Sequence, residues 1–212
     1  MALPYTELAG YVASAVFALY GAWKNHKLKK QKRENQLLKS ELYGTKMQKL
    51  KELYDFQRFS VLEHEIRVLF KETPVTRFTI MFAMNGRIDF NYMTVVYDQH
   101  DYRMDVGMES AYDQIQIDEG YIRLLKEVER LGFVWLSAPF NIGAISNFME
   151  MEGVKHCGWG YVLREALDDK DDLLVYLAIS SEQDMKVIDK SKAELIIKGV
   201  MPEMADILKV PK

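Results

Sequence analysis

Residues capable of acid–base, metal or nucleophilic chemistry are scattered along this chain. The four histidines are His26, His64, His100 and His156, and no H-x-x-x-H, C-x-x-C or H-E-x-x-H spacing occurs. Zinc sites depend on ligands at such spacings, so we expect no metal site and no cofactor. The sequence also lacks Walker, Rossmann and G-x-S-x-G glycine patterns. These observations favour a protein that is not an enzyme.

Cys157, the single cysteine, follows His156 in a predicted strand. Adjacent strand residues point to opposite faces, so this pair cannot readily form a thiolate–imidazolium couple. We therefore expect Cys157 to be a small core residue. A lone cysteine also excludes an intramolecular disulfide framework and suits a reducing compartment.

Three further segments have unusual composition. Tyr97–Asp101, YDQHD, could supply an acid, a base and donors to a cleft, but is predicted to be a strand running into a polar loop. Asp168–Asp172 lacks the glycine and terminal glutamate of a calcium loop and is predicted to be a solvated hairpin tip. Gly158-Trp159-Gly160 permits either close approach by a ligand or a bulge that seats Trp159 in the core.

Leu8–Trp23 is a run of 16 residues without a charge, and a basic segment follows it. An apolar helix stopped by positive charge is typical of a membrane anchor with its C-terminal side in the cytoplasm. A signal peptide would carry its positive residues before the apolar run. A helix lying in the membrane interface and a buried soluble helix remain alternatives.

Within the anchor, small side chains recur at every fourth position and predict self-association of the helix in lipid. The basic segment after it matches anionic lipid headgroups. The small residues are Gly10, Ser14, Ala18 and Ala22, and the basic ones are Lys24, Lys27, Lys29, Lys30, Lys32 and Arg33.

Charge divides the chain unevenly. The first 33 residues hold six basic residues and one acidic residue, which leaves 22 basic and 30 acidic residues in the remainder. Binding of nucleic acid requires a basic surface, so the acidic remainder argues against a nucleic-acid ligand.

The pattern of elements predicts three parts: a transmembrane anchor over 1–23, a basic juxtamembrane and stalk helix over 24–54, and an α+β domain over 55–212. Tyr43, Met47, Leu50 and Tyr54 follow coiled-coil spacing, and a second seam begins at Phe59. One long amphipathic helix belonging wholly to the domain is the alternative. Thr73-Pro74 should end this helix.

Beyond this point, strands are predicted at 77–84, 92–97, 156–167 and 173–180, with a short apolar segment at 133–136. Helices are predicted to include the face Tyr121, Leu124, Leu125, Val128 and Leu131, the segment 142–151, and a closing helix over 187–208. The inward residues of the closing helix are predicted to be Leu195, Ile196, Val200, Met204 and Leu208.

This order of elements resembles that of a GAF domain, a relative of PAS domains. The likeness rests on VVY at Val95–Tyr97 and on GWGYVLREALDDKDDLLVYLAIS at Gly158–Ser180. It implies a GAF-like antiparallel sheet flanked by helices, and a ligand between the sheet and the helices around residues 121–151. The candidate ligand contacts are Tyr97, Trp159, Tyr161 and Arg164. Bilin-binding members commonly place a histidine directly after their attachment cysteine; here His156 precedes Cys157, which opposes a bilin role.

The layout also resembles that of the holins of T-even phages, with a loose likeness at FNYMTVVYD, Phe90–Asp98. Those holins expose their domain to the periplasm, whereas the charges here place it inside the cell.

Together these features predict a single-pass membrane protein with a cytoplasmic domain, acting as a non-catalytic sensor or assembly module and as a homo-oligomer. Its expected partners are membrane lipids, further copies of itself and a candidate small-molecule ligand. A membrane-permeabilising lysis protein and a structural membrane component of a virion are the alternatives.

Overall fold

The computed structural model describes residues 24, 26–30, 50, 56–84, 92–101, 115–166 and 172–209. The chain divides into two compact units, Met1–Lys46 and Met47–Lys212. In the first unit, residues 24 and 26–30 are helical and exposed, and they include the predicted headgroup residues Lys24, Lys27, Lys29 and Lys30. The anchor over 1–23 with its four small residues, most of the stalk, Lys32 and Arg33 lie outside the described residues. Within the described ranges, no helix is long and apolar enough to cross a membrane.

The described part of the second unit contains a 3-10 segment, four α-helices and six strands. The 3-10 segment is Phe56–Leu62. The helices are α1 (Glu63–Glu72), α2 (Glu119–Leu131), α3 (Ala144–Met151) and α4 (Val187–Leu208). The strands are β1 (Arg77–Met84), β2 (Tyr92–His100), β3 (Ile115–Gln116), β4 (Phe133–Ser137), β5 (His156–Ala166) and β6 (Asp172–Ser181).

The predicted end of the first helix is confirmed. Phe59, Leu62, Ile66 and Leu69 are all buried, so the predicted seam packs into the domain. Thr73 leaves the helical conformation, and its backbone N–H and its hydroxyl both donate to the Leu69 carbonyl. The extended conformation at Thr73 is the one that a following proline favours.

The six strands form one antiparallel sheet in the order β3-β2-β1-β6-β5-β4. The predicted hairpins β1–β2 and β5–β6 are both formed. Between β1 and β2 the register shifts, because Ile80 pairs with Tyr97 while Met81 pairs with Val95. Val96 is therefore the extra residue of a β-bulge, and the residues beyond it are offset by one position on the faces of the sheet.

One side of the sheet, here called the closed face, packs against α1 and α4. Phe78, Ile80 and Phe82 of β1 are fully buried there. Across β6 and β5 the same side carries Leu177 and Gly160, and Met201 of α4 lies against Gly160. The residues of α4 that pack inward are Ala193, Ile197, Val200, Met204 and Leu208.

The other side, here called the cavity face, packs against α2 and α3. Its apolar residues form one cluster with Leu124, Leu125 and Val128 of α2 and with Ile145 and Met149 of α3. Asp118 caps α2 by accepting a hydrogen bond from the N–H of Tyr121 at 3.0 Å. Its other oxygen accepts from the N–H of Ala144 at 2.6 Å, so one carboxylate ties together the starts of both helices.

Two inward-facing predictions were wrong. Leu195 is 74% exposed and Leu131 is 50% exposed. The buried stripe of α4 follows the spacing 193, 197, 200, 204 and 208, and Leu195 lies on the opposite side of the helix from that stripe. Strand β3 was not predicted, since it is two residues long and lies in a polar segment.

Candidate functional site

A small cavity lies on the cavity face, between the sheet and α3. Its volume is about 40 Å³, which gives space for one or two water molecules. Most of its wall is apolar, but it also contains an arginine, a glutamate, a cysteine and a tryptophan. The lining residues are Arg77, Thr79, Met81, Val95, Ile145, Met149, Glu152, Val154, Cys157, Trp159, Ala178 and Ser180.

Arg77 brings a positive charge to this cavity and is held between two carboxylates. Its Nε and Nη2 donate to the two oxygens of Asp98 at 2.9 and 2.7 Å. Its Nη1 donates to both oxygens of Glu152 at 3.0 and 3.1 Å. The three side chains are 10%, 3% and 12% exposed, respectively. A guanidinium suits this position because its planar fork can bind a carboxylate through two hydrogen bonds at once.

Strand register explains why Asp98 meets Arg77. Thr79 pairs with Asp98 and Arg77 pairs with His100 in the β1–β2 ladder, so all four lie near one end of the hairpin on the cavity face. Asp98 also accepts a hydrogen bond from Thr79 at 3.0 Å and lies 3.1 Å from His100 Nε2. Burial alone raises the pKa of Asp98, but the hydrogen bonds and charges of His100 and Arg77 outweigh it and lower the pKa to about 2.

Trp159 closes the cavity from β5. Its ring stacks on Tyr176 at 5.5 Å and meets the Tyr121 ring edge-on at 5.6 Å. The hydroxyls of Tyr121 and Tyr176 are 2.6 Å apart, so these two polar groups satisfy each other. The indole N–H of Trp159 is buried and has no hydrogen-bond acceptor among the described residues. Such a buried donor is uncommon in native proteins. Its interaction with the neighbouring Cys157 thiol lowers the pKa of that thiol against the larger effect of burial, but sulfur is only a weak acceptor.

The two glycines beside Trp159 lie on the closed face and leave space there for neighbouring side chains. A Cβ on Gly158 would lie 2.6 Å from Phe133 Cζ, and one on Gly160 would lie 3.2 Å from Leu177, Met201 and Phe133. They therefore admit the Phe133 ring and α4, while Trp159 occupies the other side. The sequence left open a bulge that seats Trp159 in the core, and Trp159 is indeed buried, at 1% exposed. The irregular register of β5 does not lie at the glycines, however, but between Tyr161 and Leu163.

Cys157 is buried as expected and lines the cavity. Burial raises the pKa of its thiol well above the usual range, so it is not a thiolate at neutral pH. His156 points to the opposite face, where its Nδ1 lies 2.9 Å from Ser137 Oγ. Lys190 also donates to that oxygen at 3.0 Å. Burial, followed by the charge of Lys190, lowers the pKa of His156.

The four predicted ligand contacts do not meet in one place. Trp159 lines the cavity. Tyr97 lies on the closed face, where its ring meets those of Phe59 and Phe78 at 6.0 and 6.4 Å. Tyr161 is partly buried against the cavity-face cluster. Arg164 binds Asp172 at 2.8 Å and Glu129 at 3.2 Å, outside the cavity lining.

Sequence reasoning missed Arg77 and Glu152 as site residues, and it considered Asp98 only as part of a strand running into a polar loop, whereas β2 continues through Asp98 to His100. A signal was present for two of them: Arg77 is a charged residue at the start of a predicted apolar strand, and Asp98 lies in the YDQHD segment directly after another. No comparable signal marked Glu152, which follows α3 in a segment with several acidic residues. Among the described residues, no group of three histidine, cysteine, aspartate or glutamate side chains is placed to hold a metal ion.

Comparison with solved structures identifies the fold. The chain is similar to a far-red cyanobacteriochrome photoreceptor, with a TM-score of 0.54 and 11% identity over 82% of this chain and 97% of that one. The fold is GAF-like. The GAF domain of a two-component sensor histidine kinase from Bacillus halodurans also matches, with a TM-score of 0.41 and 11% identity over 70% and 93% of the two chains. A GAF domain/HD domain protein from Geobacter sulfurreducens gives 0.42 and 10% over 71% and 92%.

At these identities the likeness is one of fold alone. No protein-family model matches the chain, and no curated protein matches it. The expected GAF-like α+β architecture is thus confirmed, whereas the resemblance to phage holins receives no support.

Proposed function

We propose that this chain is a membrane-anchored sensory module whose GAF-like domain binds a small molecule on the cavity face. The observation that supports this most is the unpartnered indole N–H of Trp159 in a cavity that Arg77 also lines. Ligand sites are typically apolar hollows with a few polar groups that fix orientation. This cavity has that composition and lies where the resemblance places the ligand, against the helices around residues 121–151.

The size of the cavity sets the kind of ligand. Sites for drug-sized molecules have volumes of about 300–1,000 Å³, whereas this one measures about 40 Å³. A compact ligand of a few heavy atoms fits this space after small movements of α3. The photoreceptor neighbour is therefore a guide to the fold and not to the ligand, in keeping with the order of His156 and Cys157.

The sensor acts without catalysis and as a homo-oligomer. The anchor over 1–23 associates through Gly10, Ser14, Ala18 and Ala22, and the stalk over 24–54 carries the signal between lipid and domain. Binding changes the packing of α3 on the sheet, and the acidic domain lies in the cytoplasm. The lysines at 24, 27, 29 and 30 are exposed and bring positive charge to the segment that would face anionic lipid headgroups.

A fragment screen by thermal unfolding tests the ligand function. The full-length chain is screened beside Ala178→Leu, which fills the cavity from the middle of β6. Ligands of the cavity should raise the melting temperature of the unmodified chain and leave that of Ala178→Leu unchanged. Equal shifts in both proteins would place binding elsewhere and contradict the proposal.

Fractionation tests the anchor. The intact chain should sediment with membranes, and a chain lacking residues 1–33 should remain in the high-speed supernatant. Recovery of the intact chain wholly in the supernatant would contradict a membrane anchor.

A further inference from the structure

The two carboxylates that hold Arg77 differ in how firmly they are fixed. Asp98 lies within the sheet and contacts Arg77, Thr79 and His100. Glu152 lies outside the sheet, in the turn after α3, next to Gly153 with a φ of +71°. Its side chain can rotate away without breaking a strand pairing. Glu152 is thus the exchangeable partner of Arg77.

The positive charge of Arg77 limits which ligand groups can replace Glu152. When Glu152 leaves, Arg77 remains paired with Asp98, but its Nη1 loses the two carboxylate oxygens to which it donates, and the loss of a buried hydrogen bond to a charged group is costly. A ligand carboxylate entering as Glu152 leaves keeps one cation and two anions in the cluster. A neutral or cationic ligand does not restore this balance. Exchange of one carboxylate for another therefore disturbs the site least.

The remaining lining limits the rest of the ligand. Ile145, Met149 and Val154 give an apolar wall on the α3 side, and Met81 and Val95 give one on the sheet. The cavity has room for about one or two further groups of water size. A second acceptor oxygen also suits this lining, because the Trp159 indole N–H has no acceptor in the described part of the chain.

We infer that the cavity binds a short-chain monocarboxylate, whose carboxylate takes the place of Glu152 on Nη1 of Arg77. This inference rests on the proposed function and specifies its ligand. The released Glu152 frees the end of α3, so occupancy of the cavity is converted into a movement of the turn at 152–153.

Titration calorimetry with propionate and its neutral isostere propionamide tests the inference. The proteins are the full-length chain, Glu152→Ala, Glu152→Gln and the control Glu129→Ala, which removes a carboxylate from Arg164 outside the cavity. Because Glu152→Ala removes the side chain that competes for Nη1 of Arg77, propionate should bind this variant about tenfold more tightly than the unmodified chain. Glu152→Gln should show a smaller gain, and Glu129→Ala should show none.

Each other outcome overturns the inference in an identifiable way. If propionamide binds as tightly as propionate, the cavity is a ligand site without carboxylate selectivity, and the proposed function stands. If Glu152→Ala melts cooperatively and binds neither probe, carboxylate exchange at Arg77 is excluded, and the fragment screen decides the proposed function separately. Equal gains in Glu152→Ala and Glu129→Ala would show a general charge effect and reject the site.

Discussion

The two faces of the central sheet are built on opposite principles. The closed face is filled by aromatic and aliphatic side chains, and its glycines admit neighbouring groups to within contact distance. The cavity face contains a buried arginine between two carboxylates and a cavity of about 40 Å³, whereas each face has one buried indole N–H without an acceptor among the described residues, that of Trp159 on the cavity face and that of Trp135 on the closed face. Dense apolar packing stabilises the folded domain, whereas buried polar groups and empty space lower its stability and allow a ligand to bind. The closed face thus supports the domain, and the cavity face is the candidate for recognition.

Truncation on the closed face should have the largest effect. Phe82 is fully buried there, so Phe82→Ala should lower the free energy of unfolding by about 4 kcal/mol through lost burial and a new void. Urea denaturation of the domain measures this. Leu195→Ala, at a position that is 74% exposed on α4, is the control and should change it little. Similar losses for both would mean that α4 has the opposite orientation.

Disruption of the charge cluster of Arg77, Asp98 and Glu152 should lower the free energy of unfolding somewhat less than truncation of Phe82. Asp98→Asn leaves the buried Arg77 with a neutral partner and should destabilise the domain by about 3 kcal/mol. The matched change Glu129→Gln, in a pair with Arg164 whose side chains are 32% and 31% exposed, should cost less than about 1 kcal/mol. Equal effects in denaturant titrations would show that Asp98 is not buried against Arg77.

Acid should weaken the cavity face first. The pKa of Asp98 is lowered from 3.8 to about 2 in the folded domain, so the unfolded chain binds its proton more readily. This stability is present above the unfolded pKa and is lost as the pH falls through the folded one. It amounts to about 2 kcal/mol between about pH 5 and pH 2. Unfolding of Asp98→Asn should lack this component, and identical pH profiles for the two proteins would reject it.

A single added methyl group on the closed face should destabilise the domain. Gly158→Ala places a Cβ 2.6 Å from Phe133 Cζ and should cost about 1–2 kcal/mol by overpacking. Addition of Phe133→Leu should recover part of this loss, which a double-mutant cycle measures. Simple additivity of the two changes would exclude that contact as the cause.

The same kind of addition on the cavity face should have the smallest effect. Ala178 lines the cavity one strand away from Gly158. Ala178→Val should be neutral or stabilising by about 0.5 kcal/mol, because its new methyl groups enter empty space. A loss as large as that of Gly158→Ala in thermal unfolding would mean that this face is packed as tightly as the other.

The pattern of side chains was sufficient to predict most elements but only part of the site. The closing helix over 187–208 and strand 77–84 were predicted with the bounds they have, because a long run of helix-forming residues and a run of aromatic and β-branched residues determine them locally. The face of the sheet on which each strand residue lies was harder to predict. The bulge at Val96 offsets the faces beyond it, so Tyr97 lies on the closed face and Asp98 on the cavity face.

The contact between Arg77 and Glu152 joins residues that are 75 positions apart. Spacing along the chain cannot reveal such a pair, because tertiary packing of α3 creates it. Trp159, in contrast, was identifiable, since a tryptophan between two glycines is unusual enough to be noticed in the sequence alone.

The indole signals of Trp135 and Trp159 in a ¹⁵N–¹H spectrum test most directly whether ligands bind on the cavity face, because these two side chains lie on opposite faces of the sheet. The full-length chain is titrated with propionate and propionamide, and the signals are assigned with Trp135→Phe and Trp159→Phe. The account predicts that a probe shifts the Trp159 signal and leaves that of Trp135 in place. Movement of the Trp135 signal alone, or of neither signal, would contradict a binding site on the cavity face.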